Sequence, residues 1–422
     1  MNRSSQMNIA NKELSIKQNM LWNMIGSAVG LGCQWAISIL VVRLAPDLTT
    51  AGLYSLAMSV YGIFSPIAQF GMYTYLITDT DEKGSSGEYT TLVCGTSLLA
   101  CSLTIIYAAI TCRPNSWLVI AAFSVYKGLA AIIDILHAVD QKEHRMDYVG
   151  ISLALQGIIS LVLFAGVYSI TRSLTLSIVF MALGTLLIGA FYDLPRTRFL
   201  SPLHLGISPQ KAKVILSSCL LIVVASVANG AFSSLPRQAL SAVHGDTALG
   251  IYASIATPVA IIQVGSTYIY NPLIGYFAES YHAKDGKGFA RLSLFTLFGI
   301  ALIGVASLLI SKELAYPLLA LLYGQDVASH SELMTALIAS SVLLGVAGFL
   351  SNLLVAVRSL GIMVFGSVAA LLVTSASSQL FIMHFGMDGA TFSLIAGCMT
   401  SILISLLGII RKAVMQFQNS YL

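Results

Sequence analysis

The chain has 422 residues, of which 57% are hydrophobic and only 9% are charged, and its formal net charge is +4. Soluble domains average about 25% charged residues, so this composition excludes an ordinary soluble protein. Repeated apolar runs of about 18 residues or more are each long enough to cross a bilayer as a helix. The runs are continuous rather than alternating, which excludes membrane-spanning strands. The sequence therefore predicts an all-α integral membrane protein.

The apolar runs predict about twelve transmembrane helices. They cover residues 19–43, 50–78, 90–112, 116–137, 148–170, 174–192, 212–236, 248–274, 289–311, 333–357, 361–384 and 387–410. A further apolar stretch, 314–323, is too short to span and is predicted to end the ninth helix or to lie at the interface. The six cysteines are scattered singly without CxxC or Cys/His spacing, so neither a metal site nor a cofactor is predicted.

Lysines and arginines are distributed unequally between the two sides of the predicted bundle. With the N-terminus inside, sixteen lie on the inner side, Arg3, Lys12 and Lys83 among them, and five on the outer side. The outer five are Arg43, Arg113, Arg172, Arg237 and Lys312. Basic residues accumulate on the cytoplasmic side of membrane proteins. Both termini are therefore predicted to be cytoplasmic.

A short internal repeat predicts two related halves. In the segment 41–72, Arg43 ends an apolar helix, and a turn then leads to Gly52-Leu53-Tyr54. The segment 235–256 repeats this order with Arg237 and Gly250-Ile251-Tyr252. Such repeats occur in several transporter folds.

The longest inner connection, residues 193–211, contains three prolines and marks the predicted boundary between the halves. We expect two six-helix bundles, residues 1–198 and 199–422, related by a parallel pseudo-repeat around a central cationic lumen.

Two charged residues inside one predicted span point to a polar interior. Lys127 lies near the middle of the fourth span, where a lysine costs ~2.5–3.5 kcal/mol on insertion scales. Asp134 is seven residues later on the same helix face, about 10 Å away and too far for a direct bond without bending. Lys127 either binds an anionic substrate or pairs with a group on another helix. Asp134 either titrates during transport or has a structural role.

Four further residues are candidates for binding substrate. Arg43 and Arg237 are predicted at the outer ends of equivalent helices, where they either extend to the interface or, with Lys127, hold a phosphate group. The buried amides of Asn229 and Asn271 either bond sugar hydroxyls or link helices. No catalytic residues are predicted, because the sequence has no P-loop, no nucleotide fingerprint and no large external loop.

Several motifs resemble one transporter family. The opening stretch carries Asn19, Trp22, an Arg-Leu pair at 43–44, Gly-Leu-Tyr at 52–54 and Gly71. The fourth and fifth spans carry Lys127, Asp134, Gln141, Arg145, Met146, Ser152 and Gly157, and LPRQALSAVHGDTALGIYA follows at the seventh and eighth spans. This pattern resembles the bacterial Wzx-type O-antigen and polysaccharide repeat-unit flippases, which share a superfamily with multidrug-extrusion transporters and lipid II flippases. Many relatives place an acid three residues after the lysine, where this chain has Ala130.

The resemblance implies a flippase in the bacterial inner membrane. Its substrate would be an undecaprenyl-diphosphate-linked oligosaccharide, moved from the cytoplasmic to the periplasmic leaflet by alternating access and driven by an ion gradient. The cations Lys127, Arg43 and Arg237 would hold the diphosphate. The implied partners are the substrate, the lipid bilayer and other polysaccharide assembly proteins, and nothing indicates a nucleic acid.

Two other functions are weighed against the flippase. A drug or small-solute exporter of the same superfamily would have a lumen dominated by acids. A membrane polysaccharide polymerase or ligase would use a long periplasmic loop with arginines and a histidine. The candidate outer loop here, residues 311–332, has one lysine and no arginine, which disfavours the enzyme.

Overall fold

The protein is all-helical in a computed structural model, which describes residues 14–78 and 84–418 and contains no strand within those ranges. Arg3, Lys12 and Lys83 of the predicted charge bias lie outside the described residues. The helices of the first half are α1 Ile16–Leu44, α2 Thr49–Gln69, α3 Met72–Thr78, α4 Ser86–Thr111, α5 Pro114–Lys142, α6 Met146–Thr171, α7 Leu174–Ile188 and α8 Leu194–Leu200. A π-helical turn, Gly189–Asp193, joins α7 to α8.

The remaining helices include two much longer than a single span. They are α9 Pro209–Tyr270, α10 Ile274–His282, α11 Gly286–Tyr323, α12 Gln325–Ala328, α13 Leu333–Ala356, α14 Leu360–Phe385 and α15 Met387–Gln418. In the described residues, 11 helices are long and apolar enough to cross a membrane, with α2 and α3, α7 and α8, and α9 and α10 each counted as one. The protein is therefore a multi-pass membrane protein, as predicted.

The predicted seventh and eighth spans both lie in α9. The helix breaks between them at Gly245, whose φ of 85° and ψ of 172° are not helical. A positive φ is readily available only to glycine. Each of the twelve predicted spans thus overlaps a helix. The stretch 314–323 forms the end of α11. This is the first of the two alternatives predicted for it.

Two predicted connections are largely helical. The helix through α7 continues to Leu200, so only the second part of the predicted connection 193–211 is loop. The predicted outer loop 311–332 is occupied up to Tyr323 by the end of α11. Hydropathy missed both because these segments carry prolines or polar residues that a helix tolerates once it is packed.

The chain forms two compact units, called unit 1 (Met1–Leu40 with Phe64–Leu220) and unit 2 (Val41–Ile63 with Leu221–Leu422). Their border in the second half of the chain lies about 20 residues after the predicted boundary of 198, and unit 2 also takes in Val41–Ile63. The two predicted bundles and their pseudo-repeat stay predictions.

Small residues let the helices of unit 1 approach closely. Ala68, Ala100 and Ala131 form a buried contact between α2, α4 and α5. Gly26 of α1 lies directly against the backbone of Gly150 in α6. Asn19 strengthens this contact, since its side-chain oxygen accepts a hydrogen bond of 2.9 Å from the amide of Met146. Small residues at such crossings are the usual means of packing helices in membranes.

The core of unit 2 is larger and more aromatic. Phe277, Phe289 and Phe349 are almost fully buried, and the ring of Phe277 contacts Phe289 edge-on at 5.6 Å and Phe349 at a tilt at 5.5 Å, measured between centroids. Leu350, Leu353 and Leu354 of α13 pack in the same cluster. This core packs α9, α10, α11 and α13 together, and α9 and α13 also line the cavity described next.

Candidate functional site

Unit 2 contains a polar cavity of about 310 Å³ between α9, α13 and α14. Its polar side chains are Ser226, Asn229, Ser233, Gln263, Ser351 and Asn352. The lining residues of α9 recur every three or four positions, at 222, 226, 229 and 233. Those of α13 do the same, at 344, 348, 351 and 355. One face of each helix therefore lines the cavity. None of the described lining residues is charged. The cavity therefore offers hydrogen bonds to a neutral, polyhydroxylated group rather than an ion pair.

The cavity's amides are largely uncommitted. Asn352 donates one hydrogen bond of 2.9 Å to the carbonyl oxygen of Gly348. The side-chain amides of Asn229 and Gln263 make no hydrogen bond to any part of the chain that the structure describes. An amide presents both a carbonyl acceptor and two N–H donors, which suits hydroxyl groups that also donate and accept.

The sequence predicted one of these amides and missed two. Asn229 lies in the cavity as expected, half-buried. Asn271 does not, because it begins the exposed 3-10 turn Asn271–Leu273. Gln263 and Asn352 were missed, although each is an amide on an otherwise apolar helix and that signal was available.

Arg43 is engaged by the end of a helix. Its Nε and Nη2 donate hydrogen bonds of 2.9 Å to the carbonyl oxygens of Leu322 and Ala320, and Nη2 also contacts the oxygen of Leu321. These carbonyls form the last turn of α11, where a cation is favoured by exposed oxygens and by the helix dipole. The sequence analysis did not predict that Arg43 would cap the C-terminal end of another helix.

Arg237 is not placed like Arg43. The helix α1 ends one residue after Arg43, whereas Arg237 lies eight residues before the break in α9 at Gly245. The predicted equivalence of the two helix ends is therefore wrong in register. Arg237 is half-buried, with no carboxylate within 4.0 Å among the described residues. Its charge interacts with the buried Tyr252.

Lys127 is half-buried in α5 and has no ion pair within the described ranges. Its Nζ lies 5.1 Å from the ring centroid of Tyr126 and 5.9 Å from that of Phe123. Aromatic faces stabilise a cation without neutralising it. Lys127 and Asp134 form no direct pair, as their spacing predicted. The structure thus gives no support to a structural ion pair for Lys127.

Asp134 belongs to a buried polar network in unit 1. Its Oδ2 accepts a hydrogen bond of 3.1 Å from Gln69 Nε2, and its Oδ1 lies 3.8 Å from His137 Nδ1. The other ring nitrogen of His137 is 3.3 Å from Asp193 Oδ1. His137 therefore connects carboxylates on two helices.

Two carboxylates of this network are almost completely buried. Asp140 and Asp193 are 0% and 1% exposed, and one oxygen of each has no hydrogen-bond partner in the described structure. The hydroxyl of Thr197 donates to the other oxygen of Asp140 at 3.0 Å. Burying a carboxylate oxygen without a hydrogen-bond partner costs free energy, so these two acids are unusual for a packed helix interface.

The sequence interpretation missed His137, Asp140 and Asp193. It assigned no role to His137 or Asp140 and placed Asp193 at the start of the predicted connection 193–211. The signal was present, since Asp134, His137 and Asp140 follow one another at three-residue spacing along one helix, where such residues are neighbours. In the described residues, no group of three or more His, Cys, Asp or Glu side chains has the geometry to hold a metal ion.

A basic and aromatic cluster lies beside this network, around the start of α6, the π-helical turn and the start of α8. Arg145 donates two hydrogen bonds, of 2.8 and 2.9 Å, to the Asp147 carboxylate. These bonds raise the pKa of Arg145 further above its ordinary value, so the guanidinium stays charged. Arg145 stacks on Tyr148 at 4.0 Å and Arg196 stacks on Tyr192 at 3.7 Å, measured from Cζ to the ring centroid.

Comparison with solved structures identifies the fold. A multidrug resistance MATE-family transporter of the MOP superfamily, in an inward-facing conformation, matches with a TM-score of 0.70 at 12% identity over 93% of this chain and 98% of that chain. The lipid II flippase MurJ in an inward closed conformation gives 0.71 at 10% identity, over 96% and 90%. The chain has the fold of MOP-superfamily transporters.

This MOP-type fold extends to a Vibrio cholerae MATE transporter, VcmN in its bent form, with a TM-score of 0.57 at 12% identity over 98% of this chain and 99% of that one. In sequence, the chain is 23% identical over 329 residues to the capsular polysaccharide biosynthesis protein CapF of Staphylococcus aureus, covering 76% of this chain and 80% of that protein. No protein-family model matches. The solved structures that share this fold are described as transporters or, for MurJ, as a flippase.

Proposed function

We propose that this protein flips a lipid-linked oligosaccharide, an undecaprenyl-diphosphate-linked O-antigen or similar repeat unit, from the cytoplasmic to the periplasmic leaflet of a bacterial inner membrane by alternating access. The observation that carries the proposal is the cavity in unit 2, whose six polar lining side chains are all neutral amides and hydroxyls. Sugar rings present many hydroxyls and no net charge, which matches this lining. The similarity to a capsular polysaccharide biosynthesis protein supports the same substrate class.

The diphosphate requires cations, and of the three predicted, Lys127 of unit 1 and Arg237 of unit 2 are the least committed to other groups. Neither is neutralised by a carboxylate within the described residues. Arg43 is the weaker candidate, because three carbonyl oxygens of α11 already occupy its guanidinium. A diphosphate is best held by charge-assisted hydrogen bonds from such free cations.

The driving ion in this proposal is a proton carried by the network of Asp134, His137, Asp140 and Asp193. Histidine and closely spaced carboxylates exchange protons near neutral pH. One carboxylate oxygen of Asp140 and one of Asp193 are buried without a hydrogen-bond partner in the described residues, and acids and histidines within membrane spans commonly form proton pathways.

The proposed function is tested with alanine variants of the free amides. Asn229→Ala and Gln263→Ala, expressed in a strain lacking the gene, should each lower surface polysaccharide about three- to ten-fold per amount of membrane-localised protein, as expected for one lost hydrogen bond. Asn271→Ala is the matched control, because it removes an exposed amide outside the cavity. Equal losses in all three variants would contradict the cavity as a saccharide site.

A drug or small-solute exporter is the rival function, since MATE-family transporters share the fold. Proteoliposomes containing the purified protein separate the two. Translocation of an undecaprenyl-diphosphate-linked saccharide without extrusion of a fluorescent organic cation supports the flippase. Cation extrusion without saccharide translocation would establish the exporter instead.

A further inference from the structure

A second cavity, on unit 1, is a hydrocarbon groove within two membrane spans. It measures about 560 Å³ and lies between α6 and α7, with Ile159, Leu163, Leu183, Leu187 and Phe191 among its walls. Phe191 is 77% exposed and Leu187 54% exposed, so the groove is open at the side of the unit. Because both helices are apolar membrane spans, this groove is filled by hydrocarbon when the protein is in a bilayer.

One end of the groove is polar. Tyr192 lines the groove, and the guanidinium of Arg196 stacks on its ring at 3.7 Å. Arg196 also donates a hydrogen bond of 3.1 Å to the carbonyl oxygen of Tyr192, which holds it one turn beyond the hydrocarbon wall. No carboxylate lies within 4.0 Å of Arg196 in the described part of the chain.

The two arginines at this end differ in their partners. Arg145 donates two hydrogen bonds to the Asp147 carboxylate. Arg196 is 5.8 Å from the ring of Tyr148, on which Arg145 also stacks, and the acid next to Tyr192, Asp193, is buried 3.3 Å from His137. Arg196 therefore presents one guanidinium without a carboxylate partner in the described residues beside an apolar groove.

Residues of the π-helical turn Gly189–Asp193 face both the buried polar network and the apolar groove. Asp193 is buried against His137, while Phe191 and Tyr192 form part of the groove. A π-turn adds one residue to the helix and shifts the register of the residues that follow. That shift lets an acid face the interior directly beside aromatic residues that face the groove.

We propose that the groove and Arg196 bind one anionic phospholipid of the surrounding bilayer, with an acyl chain in the groove and the phosphate on the guanidinium. Basic pockets between helices are a recognised mode of anionic lipid binding, and a guanidinium is suited to phosphate oxygens. The one guanidinium of Arg196 matches one phosphodiester, whereas a polyprenyl diphosphate brings more negative charge than Arg196 can neutralise. The site is separate from the saccharide cavity and stands whether or not the protein flips a saccharide.

The test is lipid binding to the full-length purified protein, measured by native mass spectrometry. Phosphatidylglycerol and phosphatidylcholine with identical acyl chains are titrated separately, because they differ in the charge of the head group. We expect phosphatidylglycerol to bind about ten-fold more tightly, and Arg196→Gln to abolish that preference while phosphatidylcholine binding is unchanged. Arg196→Lys, which keeps the charge, should retain part of the preference.

Two further variants make the test decisive. Arg113→Gln removes an exposed arginine that precedes the first residue of α5 and does not line the groove. It should leave the preference for phosphatidylglycerol intact. Leu187→Trp fills the groove and should weaken binding of both lipids. A preference that survives Arg196→Gln, or that Arg113→Gln removes equally, would overturn the proposal. So would stronger binding of undecaprenyl diphosphate than of phosphatidylglycerol at this site, since the occupant would then be the carrier lipid.

Discussion

Gly52 and Gly250 form a reciprocal contact within unit 2. A Cβ atom on Gly52 would overlap the carbonyl oxygen of Asp246, and a Cβ on Gly250 would overlap that of Leu48. Each oxygen belongs to the residue four positions before the opposite glycine. The hydroxyls of Thr49 and Thr247, each three positions before its own glycine, meet at 3.1 Å. The two copies of the sequence repeat thus pack directly against each other at this point.

This contact predicts that both glycines are needed for close approach of the helices. Gly52→Ala and Gly250→Ala should each destabilise the protein by about 1–3 kcal/mol, because the added methyl group meets backbone that has no room to move. The measurement is the thermal melting of the purified protein in detergent. Gly166→Ala is the matched control, since it lies inside α6 with nothing within 4 Å, and it should be neutral or slightly stabilising. Equal melting of all three variants would contradict the predicted role.

Arg43 should act mainly on stability. Arg43→Ala removes the cation from the last turn of α11 and is expected to cost about 0.5–2 kcal/mol. The folded amount in the membrane should fall, while transport per folded protein stays close to the wild type. The measurement is surface polysaccharide alongside membrane-localised protein. A normal protein level with little polysaccharide would instead place Arg43 in the substrate site.

Lys127 should act on transport and not on stability. Because it has no carboxylate partner in the described residues, Lys127→Ala should leave the protein level normal and reduce transport about ten- to a hundred-fold, as for one lost charge-assisted contact. Lys127→Arg should retain substantial transport. The same polysaccharide assay, normalised to protein, measures both. If the level falls and neutralising Asp134 restores it, Lys127 has a structural role.

Asp140 should affect the dependence of transport on a proton gradient. Asp140→Asn keeps an oxygen to accept the Thr197 hydroxyl but removes a buried negative charge, so stability should be unchanged or higher. Flipping in proteoliposomes should then lose its response to an imposed pH gradient. Asp47→Asn, the same change at an exposed turn, is the control and should keep the response. An unaltered response in Asp140→Asn would rule out Asp140 as a proton carrier.

The positions of helices follow from local properties of the chain and were predicted from the sequence. An apolar run of sufficient length has to form a helix in a bilayer, since its backbone groups have no other partners there. All twelve predicted spans overlap helices for this reason. The amide of Asn229 lies in the cavity because a polar side chain in an apolar span faces other helices rather than lipid. The position of Lys127 near the middle of a span could likewise be predicted from the apolar residues on either side of it.

What each polar residue contacts was decided by tertiary structure. Arg43 donates a hydrogen bond to the carbonyl oxygen of Leu322, which is 279 residues away in the chain. No local sequence pattern predicts that contact. Asn271 carries the same amide as Asn229 but lies on an exposed turn, because Pro272 follows it where α9 ends. Asp193, the last residue of the π-turn, contacts His137, which lies 56 residues earlier in the chain on another helix. Hydropathy records how much of a helix is apolar, whereas these contacts depend on which helix faces meet and in what register.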